Sequence, residues 1–453
     1  MDRVLSASDT IAALGTPAGT AALAVVRITG GDARALVGDI FGREPAPRRA
    51  VLAAYRDRSG VLIDEVLVTV FAGPRSYTGE DMAEISAHGS PYLAQRILED
   101  LHARGCRPAD PGEFTRRAFL NGRLDLSQAE AVMDLIHARS EQALAAAHRQ
   151  LRGSLRREMD GLCADLIGTL ARVEAYIDFP DEDLPAENRT ELRGTVARIM
   201  GGAARLLATR HYGELLREGA AVVIVGEPNA GKSSLLNRLV GRDRAIVSPE
   251  PGTTRDFLEE RVRLGPHLAR LVDTAGLNPD PGPVERLGIG RAWECIHDAD
   301  ILLAVLDAAR PLPGFWPEFD ARRGGRPTLV AWNKTDLHPE AAAPAPDGLP
   351  AWRVSALTGA GVEELRVALE AAVSRLQPLG DGEAVAINAR HAQALVQARE
   401  CLESALRKLA SSSDPALLAS DLRGALDAFG EIAGRIDHER VLDALFAKFC
   451  IGK

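Results

Sequence analysis

Ala220-Ala221-Val222-Val223-Ile224-Val225 runs without a polar side chain into Gly226-Glu227-Pro228-Asn229-Ala230-Gly231-Lys232-Ser233-Ser234, and Leu235, Leu236 and Leu239 continue at helical spacing. A short unbroken apolar run predicts a strand buried on both faces, and G-x-x-x-x-G-K-S between strand and helix predicts a phosphate loop. The glycines let backbone N–H groups curl round an anion at the helix N-terminus, Lys232 adds charge, and the Ser233 hydroxyl is a magnesium ligand. Three further motifs stand downstream in order. Asp273-Thr274-Ala275-Gly276 closes the apolar run Leu268 to Val272, giving a carboxylate for the metal shell and a glycine N–H for a γ-phosphate. Asn333-Lys334-Thr335-Asp336 comes after the strand Thr328 to Trp332, and Ser355-Ala356-Leu357 completes a base-binding loop. The Asp336 carboxylate accepts from guanine N1–H and the 2-amino group, which adenine lacks, so GTP rather than ATP is the expected nucleotide. Upstream, Thr254 in Gly252-Thr253-Thr254-Arg255-Asp256 is the expected switch-one ligand of magnesium.

The hydrolytic group is less direct. Leu277 stands where Ras-like GTPases place the glutamine that orients water. Glu285 admits two readings, a carboxylate orienting water and a solvated charge opening the helix Glu285 to Ile296. Asn229 likewise admits two, a side-chain oxygen for a monovalent cation and an ordinary loop hydrogen bond.

Outward from this stretch, strand, loop and helix alternate to about Leu376, the pattern of a doubly wound parallel sheet. Helical periodicity lies on both sides. Before it, Ser127-Gln128-Ala129-Glu130 reads as a capping box opening a long stretch with Val132, Leu135, Leu144, Leu155, Leu162 and Leu170, broken at Phe179-Pro180 and resumed from Glu191 to His211. After Pro378, Leu395, Leu402, Leu406, Leu417, Leu422 and Leu445 repeat it, so the α/β unit reads as an insertion in a helical domain. The first ~120 residues alternate differently, with strands Ala21 to Ile28, Val66 to Phe71 and Met82 to Ser86 and a helix Pro91 to Gly105. The expected fold is therefore multidomain α/β plus all-α, with segments 1–121, 122–218, 219–377 and 378–453. Ala341 to Gly348, rich in proline and alanine, is expected to be a loop without a role.

The 453 residues, 46% apolar and 26% charged, suit several packed domains and exclude a disordered or collagenous chain. A formal charge of −9 excludes a uniformly basic surface, so any RNA contact is local. No apolar run approaches the ~18 residues that cross a bilayer, and the start lacks a signal-peptide core, so a cytoplasmic protein with no membrane contact is expected. Cys106, Cys163, Cys295, Cys401 and Cys450 form no C-x-x-C pair, which gives neither zinc nor a disulfide framework sequence support. Arg149, Arg152, Arg156 and Arg157 read either as a solvated helix face or as a receiver of RNA phosphates.

Beyond the nucleotide motifs, Val26-Arg27-Ile28-Thr29-Gly30, Tyr77-Thr78-Gly79-Glu80-Asp81, Pro111 to Asn121, Leu124-Asp125-Leu126, Ile177-Asp178-Phe179-Pro180 and the final Cys450-Ile451-Gly452-Lys453 resemble the tRNA-modifying GTPase family MnmE, also called TrmE, over essentially the whole chain. The resemblance implies an N-terminal folate-binding-like domain, a helical domain and an inserted Ras-like P-loop GTPase domain. It implies a homodimer that works with a flavin-dependent MnmG (GidA) partner, which carries FAD, in a heterotetrameric or larger complex. Together they install a carboxymethylaminomethyl or aminomethyl group at C5 of the wobble uridine, position 34, of certain tRNAs, with a one-carbon unit from 5-formyl- or 5,10-methylene-tetrahydrofolate. It further implies folate contacts at Arg27, Glu80, Arg123 and Lys453, potassium at Asn229 and in the loop Ser248 to Thr253 with Glu250, and water placed by Glu285. Without the resemblance, Arg27 and Glu80 read as a surface ion pair, and Cys450 among Leu445, Phe446 and Phe449 as a small buried hydrophobe rather than a centre of one-carbon chemistry. A reading from another class is a GTP-dependent switch in ribosome assembly or stress signalling, without modification chemistry.

Overall fold

A computed structural model describes residues 9–178, 186–241, 258–274, 283–340, 344–376, 384–411, 414–434, 442, 445–447 and 449–452. The chain divides into two compact units, Met1–Met133 with Gly430–Lys453, and Asp134–Phe429.

The first unit is built on a six-stranded sheet of order β3-β4-β5-β2-β1-β6. Its elements are β1 (Ile11–Leu14), β2 (Leu23–Thr29), α1 (Ala33–Phe41), β3 (Val51–Arg56), β4 (Leu62–Phe71), β5 (Met82–His88), α2 (Pro91–Ala103), β6 (Arg107–Pro108) and α3 (Glu113–Leu120). The β2–β5 ladder is antiparallel and pairs Arg27 with Glu84 and Thr29 with Met82. Strand alternation then divides the two faces: Val26 and Ile28 pack with Val37, Ile85, Ile97 and Leu101, while Arg27 and Thr29 face the other way. On that other face the C-terminal segment closes the unit. Phe446 and Phe449 pack on Ala129 and Phe119, and Gly112, at φ +69°, leaves no room for a Cβ, which would lie 2.8 Å from Phe449 Cβ.

α4 (Leu126–His137) leads from the first unit into the second, and after it come α5 (Glu141–Leu151), α6 (Ser154–Asp178), α7 (Ala186–Ala208) and α8 (Arg210–Glu218). The expected capping box lies two residues too late. Asp125, just before the helix, accepts from the Gln128 N–H, and Gln128 Oε1 accepts in return from the Asp125 N–H. Ser127 is already inside the helix and donates to Asp125 Oδ1.

Next comes the inserted sheet, β7 (Ala220–Val225), α9 (Lys232–Val240), β8 (Leu258–Leu264), β9 (His267–Asp273), α10 (Pro283–Asp298), β10 (Ile301–Asp307), α11 (Trp316–Arg322), β11 (Thr328–Asn333), β12 (Ala351–Arg353) and α12 (Val362–Arg375). Its order is β12-β11-β10-β7-β9-β8. Every pairing is parallel except that of the edge strand β8 with β9. The reason is local: Gly265-Pro266 is a two-residue connection, too short for a parallel crossover. Val222 and Ile224 pack on α9 and α12, and Val223 and Val225 on α10 and α11, so both faces of β7 are buried as its apolar run requires. The loop expected to lack a role supports this core, because the Pro344 carbonyl accepts from the Trp332 indole and the Asp347 carboxylate from that of Trp316.

α13 (Ala389–Ala410) and α14 (Pro415–Ala433) complete the helices. α13 opens on a capping box of Asn388 and His391, and α7 packs against both α13 and α6. The chain leaves the helices and returns to them at one place: Thr209 Oγ1 donates to the Val385 carbonyl, and a Cβ on Gly213 would lie 2.1 Å from the Ile387 carbonyl oxygen. Among the described residues no helix is long and apolar enough to cross a membrane.

Candidate functional sites

The loop after β7 is shaped by backbone that side chains disfavour. Gly226, at φ +156°, lies so close to β10 that a Cβ would come 2.3 Å from the Val305 carbonyl oxygen, and one on Gly231, at φ +94°, would come 2.2 Å from Asn333 Nδ2. Asn229 between them is left-handed at φ +63°. Successive turns of this kind aim N–H groups into one concavity. Lys232 is buried, and its ammonium donates to the Gly226 and Glu227 carbonyls. Burial pushes the Lys232 ammonium below its ordinary value, against the opposing attraction of Asp273. An incoming polyphosphate answers that desolvation with charge.

Ser233 Oγ donates to Asp273 Oδ2 at 2.5 Å, while Asp273 Oδ1 is buried and has no hydrogen-bond partner among the described residues. An orphaned carboxylate oxygen beside a hydroxyl is a donor set that fits magnesium, which keeps most of its shell from water and phosphate. Thr274 is turned inward, its hydroxyl donating to the Ile224 carbonyl, so it fastens β9 to β7 rather than facing the loop. Ser234 and Asn229 are exposed. Ser248, Glu250, Thr253, Thr254, Ala275 and Gly276 lie outside the described residues. Glu285 falls in the first turn of α10, with its side chain outside them.

The loop expected to bind the base is tied to the loop expected to bind phosphate through Asn333, which is buried. Its Nδ2 donates to the Ala230 carbonyl and its Oδ1 accepts from the Ala356 N–H, both at 2.9 Å. Lys334, left-handed at φ +67°, pairs with Asp307 at 2.7 Å. Burial alone would raise the Asp307 carboxyl, but the hydrogen bonds from Lys334 and the Ala309 N–H outweigh it and hold it below the usual range. Asp336 is exposed and anchored by the Ser355 hydroxyl, and Leu357 is 77% exposed beside it. Asp307 was not among the expected residues, although its place at the carboxyl end of a central strand is a signal that strand-end reasoning can use.

In the first unit, Arg27 pairs with Glu84 at 3.0 Å rather than with Glu80, which corrects the simple ion-pair reading. The ladder decides this, since it sets Arg27 directly opposite Glu84. Its second arm donates to the carbonyl of Gly452 at 3.2 Å. Gly452 is buried at φ +90°, and a Cβ there would sit 2.3 Å from the Leu14 carbonyl oxygen. The tail therefore lies against β1 and β2, with Lys453 the next residue and outside the described ones. Glu80 accepts from Thr29 and from Arg117, both at Oε2 and both at 3.1 Å. Arg123 is exposed, and its stem lies beside Gly79. Cys450 is exposed, against the buried-hydrophobe reading, although Phe446 and Phe449 before it are buried.

Behind Glu80 lies a network of charges. Glu113, 2% exposed, accepts from Arg107 and Arg117, and Asp9 bonds both arginines. Burial alone would raise Glu113, but the hydrogen bonds from Arg107, the Asp110 N–H and Arg117 hold it below the usual carboxylate range. Of the four arginines considered for RNA, Arg156 pairs with Asp160 and Arg157 donates to the Arg152 carbonyl.

Likeness to known proteins runs along nearly the whole chain. Residues 126–450 match the family described as the MnmE helical domain, and residues 10–123 that described as the GTP-binding protein TrmE N-terminus. The tRNA modification GTPase MnmE of Opitutus terrae is 56% identical over 98% of this chain and 99% of its own length. Its counterpart in Akkermansia muciniphila is 45% identical over 98% of this chain and 99% of its own. That of Symbiobacterium thermophilum is also 45% identical, over the same shares.

Proposed function

The chain belongs to the MnmE family of tRNA modification GTPases, and from that premise we propose how its two sites divide the work. Hydrolysis of GTP is assigned to segment 219–377, held between helical segments 122–218 and 378–453. One-carbon chemistry and dimerisation are assigned to segment 1–121 together with the C-terminal tail.

In the first site Lys232 and the loop N–H groups bind the phosphates, and Asp336 with the Ser355-Ala356-Leu357 loop reads guanine. Ser233, Asp273 and Thr254 hold magnesium, which offsets the charge that develops on the phosphates. Asn229, Ser248, Glu250 and Thr253 hold potassium. Glu285 orients the attacking water, and the cycle of closure and release drives the second site.

In that second site Arg27, Glu80, Arg123 and Lys453 bind a tetrahydrofolate, 5-formyl or 5,10-methylene. Cations suit its glutamate, and the Glu80 carboxylate suits the N–H donors of a pterin. With FAD on an MnmG (GidA) flavoprotein partner, the product is a carboxymethylaminomethyl or aminomethyl group at C5 of uridine 34. The observation that carries this reading is the buried Gly452, whose carbonyl accepts from Arg27 and so brings the tail to the sheet whose Thr29 bonds Glu80.

Nucleoside mass spectrometry of tRNA from cells with and without the gene tests it. The C5 group disappears on deletion and returns with the wild type but not with Asp336→Asn. An unchanged profile refutes modification and moves the reading to a GTP-dependent switch. Deleting Lys453 is expected to abolish folate binding, equal hydrolysis in potassium and sodium would sink the potassium assignment, and Glu285→Ala is expected to bind GTP and turn it over slowly.

A further inference from the structure

Arg238 sits in the last turn of α9, the helix that begins at Lys232, and its side chain crosses to the base loop. Its Nε donates to the Ala356 carbonyl at 3.2 Å, and its Nη2 donates to the carbonyl of Leu357. Gly359, at φ +89°, passes close enough that a Cβ there would meet the guanidinium at 3.5 Å. In a trans peptide the carbonyl and N–H point in opposite directions, so holding the Ala356 carbonyl turns the Leu357 N–H away from α9. The Ala356 N–H is held separately by Asn333 Oδ1.

We propose that Arg238 is a positioning residue for guanine: it fixes the Ser355-Ala356-Leu357 loop to the helix that carries the phosphate ligands, and so sets where the Leu357 N–H meets the base O6. A single helix then bears the phosphate ligands at its start and the anchor of the base loop at its end, and the distance between them is fixed by helix geometry. A planar fork with several donors suits two adjacent carbonyls, which an ammonium cannot bridge equally.

The test is steady-state hydrolysis and nucleotide release by the full chain, with Arg238→Ala and Arg238→Lys. In the alanine variant KM for GTP rises about tenfold, equivalent to ~1.4 kcal/mol, while kcat falls less than about threefold. ITP suffers the same loss as GTP, because both carry O6 and differ only in the 2-amino group read by Asp336. The lysine variant lies between the alanine variant and wild type. Release of a fluorescent GDP analogue quickens in the same order. A KM within twofold of wild type in Arg238→Ala overturns the proposal, as does a lowered melting temperature with KM untouched, which would make Arg238 a support for α9 alone. A loss confined to GTP and absent for ITP overturns it too, since the effect would then pass through Asp336.

Discussion

Replacing Arg117 by methionine removes a guanidinium that joins three carboxylates, Asp9, Glu80 and Glu113, at 2.7, 3.1 and 2.9 Å. With Arg107, which also meets Asp110 at 3.7 Å, the cluster has two cations and four anions; without Arg117 it has one cation and four anions. Glu113 sets the size of the effect, because its side chain is 2% exposed and cannot hydrate, whereas Glu80 and Asp9, 19% and 32% exposed, can. Breaking a buried pair by removing one partner costs about 3–5 kcal/mol, and the surviving bonds of Glu113 to Arg107 favour about 3. The assay must report on this unit. All four tryptophans, Trp293, Trp316, Trp332 and Trp352, lie in the other one, so fluorescence is uninformative and amide exchange in β1 and β5 is used. Protection there falls by about two decades.

The pH dependence supplies the sign. In the wild type Glu113 and Asp9 are held below their ordinary values of 4.5 and 3.8, so their stabilisation is full above those values and is lost as pH falls through the folded ones. In the variant the crowded carboxylates take up protons at higher pH, which relieves their repulsion. The gap between the two proteins therefore narrows on acidification from about pH 7 to about pH 4. A constant gap, or a loss of protection below about threefold, would refute an electrostatic role for the network.

Gly452→Ala, strained at φ +90° and blocked by the Leu14 carbonyl, is expected to release the tail and speed tryptic cleavage after Lys448 by about tenfold, read by mass spectrometry; an equal rate refutes the docked tail. One equivalent of iodoacetamide is expected to modify exposed Cys450 first and Cys106 last, since burial pushes the Cys106 thiol up to about 11. Burial holds His267 below its ordinary 6.5, against the opposing Glu370, so its neutral form stabilises the larger unit above that value and the stabilisation is lost as pH falls. In His267→Gln, urea titrations monitored by tryptophan fluorescence are expected to show a flatter decline below about pH 6.5 than in wild type, and parallel declines would refute the assignment.

The nucleotide site was legible because its geometry is local. Strand, glycine turn and helix N-terminus occupy about a dozen consecutive residues, and Asp336 keeps a fixed spacing from Asn333 at the end of β11. Elements held by long-range pairing were harder. β6 is two residues long and exists because it lies beside β1, and β3 alternates too weakly to announce itself, with Tyr55 its one buried residue. The partner of Arg27 depended on the β2–β5 register, which no local pattern sets. Arg238 carried no signal, because an arginine late in a helix reads as a complement to the helix dipole until its carbonyl partners, more than a hundred residues away, are seen.

The closing of the first unit by Phe446, Phe449 and Gly452 has a consequence for a ribosome making this chain. Residues up to Met133 emerge early, but the segment from Gly430 onward comes 430 − 133 = 297 residues later. At about 5–20 residues per second, the nascent N-terminal unit waits roughly 15–60 s with Ala129 and Phe119 uncovered and Gly112 facing an empty groove. During that interval the inserted sheet can fold, because its strands pair only with one another. A messenger cut short between the codons for Arg375 and those for the tail thus yields a chain able to fold its nucleotide sheet and left with an apolar seam, the kind of surface that chaperones and proteases recognise.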